Sequence, residues 1–298
     1  FDAYARRRNG KSAFFPASDA VTGVEIWKTD GTAGGTSLVK DLAPGGADSY
    51  AQSLTNVGGT LFFKASNGTI FGLFKSDGTG PGTVLVKALS MPPDNLVDAD
   101  GTVFLIGIDP AYGAELWKSD GTTAGTVMVK DIYPGAGGGL SGSSLVAIGS
   151  VVYFSANDAA HGAELWKSDG TEAGTVMVKD IYPDFGAFGS SWPVALTNAG
   201  GRLFFRAMSN EAEGTQPWTS DGTEAGTVQI ASLYPAGNSL AASFTSVNGN
   251  IFFAATDDTH GVELWSVSAA VTGVGAGGRD VPGTVSLSQN DPNPVRST

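Results

Sequence analysis

The octapeptide "ELWKSDGT" fills residues 115 to 122 and recurs unchanged at 164 to 171. Degenerate copies put its aromatic at Trp27, Phe74, Trp117, Trp166, Trp218 and Trp265, with spacings of 47, 43, 49, 52 and 47 residues. Helical repeats of this length carry apolar residues at every third or fourth position, and these units do not. The period instead predicts an all-β chain, a β-propeller of six blades with four antiparallel strands each, followed by a short C-terminal tail. The 43 glycines and 14 prolines fit many short strands joined by tight turns.

Each unit reads as strands a to d. Strand a is of the "SLTNV" type (53 to 57, 195 to 199, 243 to 247). The pairs Gly58-Gly59, Asp100-Gly101, Gly200-Gly201 and Asn248-Gly249 then accept positive φ in a two-residue hairpin and lead into strand b, "TLFFKA" or its variants. Strand c carries the aromatic, and strand d is the β-branched "TVMVKDI" type. Between c and d lies a turn with Asp30, Asp77, Asp120, Asp169 or Asp221, each followed by glycine and threonine. A carboxylate there accepts backbone N–H groups across the bend, so a structural turn is the expected role. The multi-acid spacing of a calcium loop is missing from every copy, so no cofactor is expected, with calcium at these turns as the alternative. The strand-c aromatics are expected to fill the wedge between blades, since Phe74 keeps the bulk without the indole N–H.

Residues 23 to 267 resemble a tandem array of the ELWxxDGT repeat family, with Trp117 and Trp166 in unaltered copies of its string. "GLFKSDGT" (72 to 79) and "QPWTSDGT" (216 to 223) depart at the glutamate, and "ELWSVSAA" (263 to 270) loses the DGT. The resemblance implies a β-propeller and an extracellular or outer-surface location on a bacterium, and brings no catalytic residues. The domains expected are a propeller over 1–268, a Gly/Ala-rich linker over 269–283 and, over 284–298, the start of a further module. There, Leu287 to Pro294 resembles the "LxQNxPNP" opening of C-terminal sorting domains of type IX secretion and of related immunoglobulin-like tails. Such a domain normally continues further, so the sequence is expected to be a fragment. Strand a of the first blade is expected within Asp2 to Arg8, and "VPGTVSLS" (281 to 288) is a candidate for the missing fourth strand of the sixth.

Charge narrows the partners. Twenty-nine acids against 17 bases give a net charge of -12, which repels phosphate backbones and excludes nucleic acid as an expected partner. No apolar run reaches the length of a membrane span, so membrane insertion is not expected. Without cysteine and with two histidines, Ser/His/Asp, Cys/His and zinc-ligand sets have almost no material.

In an antiparallel blade the a–b and c–d turns fall at one end and the b–c and d–a loops at the other. The first end repeats, and the second varies between copies, which is where recognition is expected. Candidates there are Tyr112, His161 and His260, with Asp109, Asp158 and Asp257 three residues before each, and Phe185, Phe188 and Trp192 in the longest loop. They suit a non-enzymatic scaffold for glycan or protein ligands. The alternatives are a polysaccharide hydrolase or lyase using carboxylates among Asp158, Glu211, Glu213, Asp257 and Asp258, and a structural spacer.

Overall fold

A computed structural model describes residues 5–6, 12–19, 21–140, 144–183, 189–268 and 287–289. Among them there is no α-helix. The strands form six antiparallel sheets of four, each in simple chain order. The first contains β1 (Ala5–Arg6), β2 (Ala13–Ser18), β3 (Val24–Thr29) and β4 (Ser37–Lys40). The second contains β5 (Gln52–Val57), β6 (Thr60–Ser66), β7 (Phe71–Ser76) and β8 (Val84–Ala88). The third contains β9 (Asp94–Ala99), β10 (Thr102–Asp109), β11 (Gly113–Ser119) and β12 (Val127–Lys130). The fourth contains β13 (Val146–Ile148), β14 (Val151–Asn157), β15 (Ala163–Ser168) and β16 (Val176–Lys179). The fifth contains β17 (Val194–Ala199), β18 (Arg202–Met208), β19 (Thr215–Ser220) and β20 (Val228–Gln229). The sixth contains β21 (Ala242–Val247), β22 (Asn250–Thr256), β23 (Val262–Ser268) and β24 (Leu287–Gln289). Ala5–Arg6 is therefore the strand a expected near the N-terminus, and Leu287–Gln289 pairs with β23 in the fourth position of its sheet.

The chain divides into two compact units, Phe1–Val152 with Ser168–Thr175, and Tyr153–Lys167 with Val176–Thr298. In the first unit, Ile26 of the first sheet is buried with Phe63 and Phe74 of the second, and Leu73 of the second with Val103 and Leu105 of the third, against Trp117. In the second unit, Phe204 of the fifth sheet is buried with Phe244, Ile251 and Phe253 of the sixth, against Trp265. Apolar side chains of one sheet, such as Ile26, Leu73 and Phe204, thus pack against apolar and aromatic side chains of the next. Burying such a side chain is worth about 1.5–3 kcal/mol, and an isolated sheet would forfeit it.

The strand-c aromatics act through their rings. Phe74 stacks on Phe63 with centroids 5.9 Å apart, and Trp218 on Phe205 at 6.4 Å. Trp166 and Trp218 are buried, while Trp27, Trp117 and Trp265 are half-buried. The indole N–H groups of Trp27, Trp117 and Trp218 meet no acceptor among the described residues, which is why phenylalanine can occupy the position at Phe74. Trp265 does use its N–H, donating to Ala255 O at 3.1 Å.

Candidate functional site

At the turn end, one motif is repeated in five sheets. Asp120 Oδ1 accepts the Thr122 N–H at 2.8 Å and its hydroxyl at 2.7 Å, while Thr122 Oγ1 accepts the Gly125 N–H at 2.9 Å. Asp30, Asp77, Asp169 and Asp221 make the same pair of bonds to the threonine two residues on. The threonine hydroxyl bond, with the backbone bond beside it, holds the Asp30, Asp120 and Asp169 carboxyls below their usual range. The preceding serine of four copies is buried and joins its hydroxyl to a threonine seven residues on, as in Ser119–Thr126 at 2.7 Å. Gly121, at φ +85°, also lies against the Phe62 ring of the sheet before it, where a β-carbon would come within 3.0 Å of Cζ.

Lysines tie these turns together. The lysine of "ELWK" donates to the glycine carbonyl of the next sheet's turn: Lys28 to Gly78, Lys75 to Gly121, Lys118 to Gly170 and Lys167 to Gly222, each at 2.8 Å. The last lysine of strand d does likewise, Lys40 to Thr83 O, Lys130 to Thr175 O and Lys179 to Thr227 O. In the fifth sheet these positions are Thr219 and Ala231, and the sheet that follows has no DGT turn.

The loop end rests on a different residue of the string, its glutamate, which sequence reasoning left without a role. Glu25, Glu115 and Glu164 are completely buried. Glu115 accepts N–H groups from Ile132 at 3.1 Å, Tyr133 at 3.2 Å and Gly139 at 2.7 Å, and so pins the chain leaving strand d. Glu25 takes Leu42 and Ala43, and Glu164 takes Ile181, Ser191 and the Ser191 hydroxyl. Burial pushes all three carboxyls up, against the pull of those donors, and brings Glu164 to about 7. The fifth sheet has the neutral isostere: Gln216 Oε1 accepts from Leu233 and Tyr234, and its Nε2 donates to three carbonyls. In the second sheet the position is Gly72, where a β-carbon would run into the Lys87 carbonyl.

Above this anchor, buried serines hold an apolar residue outward. Ser49 donates its N–H and hydroxyl to Val24 O at 2.9 and 3.0 Å, and its carbonyl accepts the Ser66 N–H at 2.7 Å. Ser239 repeats this between Thr215 and Thr256, and the Ser191 carbonyl accepts from Met208. The following residue is then forced into the left-handed region, at φ +53° for Tyr50, +48° for Trp192 and +52° for Leu240. Non-glycine residues rarely accept this backbone, and all three side chains emerge into solvent, 58%, 59% and 51% exposed. Tyr50 also meets Phe71 at 6.3 Å between centroids. Of these, only Trp192 had been singled out from sequence; the Ser-aromatic or Ser-leucine dipeptide at three of the d–a loops was the available signal.

The b–c loops share a second frame. In each an Asp or Asn, namely Asp19, Asn67, Asp109, Asp158, Asn210 or Asp257, accepts backbone N–H groups from two or three residues further on. The residue three positions on is Thr22, Ile70, Tyr112, His161, Glu213 and His260 in turn, so a constant turn presents a changing side chain. His161 Nδ1 lies 2.8 Å from Asp158 Oδ2 and His260 Nδ1 2.9 Å from Asp257 Oδ2. The hydrogen bond that His161 donates to the Asp158 carboxylate raises the His161 pKa. Burial works against the Asp158 charge, yet the His161 bonds keep its pKa lowered, and the His260 bond lowers that of Asp257. Tyr112 is exposed, and Phe185 and Phe188 lie outside the described residues. No three of His, Cys, Asp and Glu converge to hold a metal ion among the described residues.

Successive four-stranded antiparallel meanders, with apolar side chains packed between neighbouring sheets, define the β-propeller class. Solved structures agree in fold alone. A prolyl endopeptidase from a study of two such enzymes matches with a TM-score of 0.57 at 13% identity, over 97% of this chain and 42% of that one. A puromycin-hydrolyzing peptidase of Mycobacterium tuberculosis matches at 0.50 and 12%, over 90% of this chain and 42% of that one. The β-propeller domain of the Trilobed protease from Pyrococcus furiosus, described as having an open velcro topology, gives 0.47 and 14%, over 89% and 80%. The chain thus spans less than half the length of the two peptidases. No family model and no curated protein matches it.

Proposed function

We propose that the chain is a non-enzymatic β-propeller of six blades, exported to the outer surface of a bacterium, whose d–a and b–c loops bind glycan or protein ligands. The observation that carries this reading is the repeated serine clip, which holds Tyr50, Trp192 and Leu240 exposed on left-handed backbone. Backbone strain at a fixed place on a rigid scaffold is spent where a side chain must be offered. The loop-end carboxylates favour a binding role over hydrolysis: Asp158 and Asp257 are engaged in their own turns and histidines. The ELWxxDGT resemblance and the "LxQNxPNP" string support export.

A glycan array probed with the purified protein and with Tyr50→Ala, Trp192→Ala and Tyr112→Ala variants tests the reading. Binding that falls at least about tenfold in one of these variants, with unfolding unchanged, is the expected result, since rigid aromatics dominate such contacts. A wild-type protein that retains no glycan and no surface protein, or binding indifferent to all three changes, overturns it.

A further inference from the structure

The geometry points to Asn248 as a site of spontaneous backbone-assisted modification, in which the chain converts its own amide to a cyclic imide and then to aspartate or isoaspartate. Asn-Gly pairs are the sequence context in which this chemistry is sterically least hindered, because glycine offers no β-carbon to block its own nitrogen. The chain has three of them, at 9–10, 67–68 and 248–249. The first lies outside the described residues. The other two are held in opposite ways.

Asn67 is locked. Its Oδ1 accepts the Thr69 N–H at 3.1 Å, the Thr69 hydroxyl at 3.0 Å and the Ile70 N–H at 2.9 Å. The attacking atom is also occupied, since Gly68 N–H donates to Ser66 Oγ at 3.1 Å. Rotating the amide toward the glycine nitrogen would break several hydrogen bonds at once.

Asn248 forms the a–b hairpin of the sixth sheet with Gly249, at φ +50° and +78°. Among the described residues no hydrogen bond holds its side chain or the Gly249 N–H. The corresponding N–H is capped elsewhere: Gly101 donates to Asp98 Oδ1 at 2.8 Å and Gly201 to Asn198 Oδ1 at 3.1 Å. In the sixth sheet the residue three before the glycine is Ser246, and no such bond forms. Packing around the turn is thin as well. Val247 is 46% exposed, whereas its counterparts Val57, Ala99 and Ala199 are buried.

In the reaction, base removes the Gly249 amide proton and the nitrogen attacks Asn248 Cγ. The Cγ–Nδ2 bond breaks, ammonia leaves and a five-membered imide forms. Water then opens the ring at either carbonyl, giving aspartate or isoaspartate, with no redox change. The two products differ in consequence. Aspartate fits the turn, because Asp100 sits at the same place in the third sheet at φ +48°. Isoaspartate adds a main-chain carbon to a two-residue hairpin and disrupts the pairing of Val247 with Asn250.

Incubation of the folded protein in warm, mildly alkaline buffer, followed by peptide mapping and isoaspartyl-methyltransferase labelling, tests this. The expected result is a mass gain of about 1 Da at Asn248 that outpaces Asn67 at least about tenfold, a gap that closes in denaturant, where the hydrogen bonds locking Asn67 are gone. Gly249→Ala slows it, and Asn248→Asp unfolds as the unmodified protein does. Equal rates at Asn67 and Asn248 in the folded protein, or a folded Asn248 that stays unmodified while the denatured chain reacts, overturns the proposal.

Discussion

In the first, third and fourth sheets both ends are built on carboxylates, but the carboxylates differ in kind. At the turn end Asp120 is exposed and bonds two residues ahead in its own turn. At the loop end Glu115, five residues earlier in the same string, is buried and holds backbone 17 to 24 residues away. A local carboxylate sets the shape of a bend, whereas a buried one fixes where a whole loop begins. The turn end can therefore be uniform, and the loop end can vary above a constant anchor.

Removing each carboxylate should break this contrast most sharply. Glu115→Ala leaves three N–H groups, two of them buried, without an acceptor and should cost about 3 kcal/mol, read as a fall in the urea midpoint. Asp120→Ala should lower the midpoint far less, because water can replace its bonds. Equal losses would mean that the ends do not differ in the way described.

The pH dependence comes next. The Glu164 carboxyl is raised in the folded state to about 7 from 4.5, so protonation favours the native form. Its contribution is fully present below the unfolded pKa and is lost as pH rises through about 7. Glu164→Gln, which copies Gln216, should flatten that part of the stability profile and leave the protein at least as stable at neutral pH. A mutant with the same slope as the parent would assign the slope to other groups.

A smaller effect is expected from the ties between turns. Lys118→Met keeps the aliphatic stem and removes the bond to Gly170 O, for a loss of about 1 kcal/mol in chemical unfolding. The smallest change should come at the exposed clip residue. Trp192→Gly relieves a left-handed tryptophan, so thermal unfolding should hold or rise slightly while ligand binding falls. A large destabilisation would show that Trp192 serves the fold.

Much of the turn end was legible in sequence because its chemistry is local. Asp, Gly and Thr at fixed offsets specify a bend wherever they occur, and pairs such as Asp100-Gly101 adopt the positive φ that their composition suggests. The loop end was legible only as variation. Glu115 was visible as a repeated letter, but nothing in the string says that its partners are Ile132, Tyr133 and Gly139. Tyr50 and Leu240 were hidden for a related reason, since exposure of an apolar residue depends on a serine clip to two other strands.

The sequence by itself determined the repeat, the order of strands within each sheet and the chemistry of the turns, because all three depend on residues close in the chain. Only the tertiary structure decided which carboxylate is buried, which lysine reaches the next turn and which aromatic is left in solvent. Those outcomes depend on packing between sheets, where a side chain's neighbours lie tens of residues away and the free energy of burial decides its role.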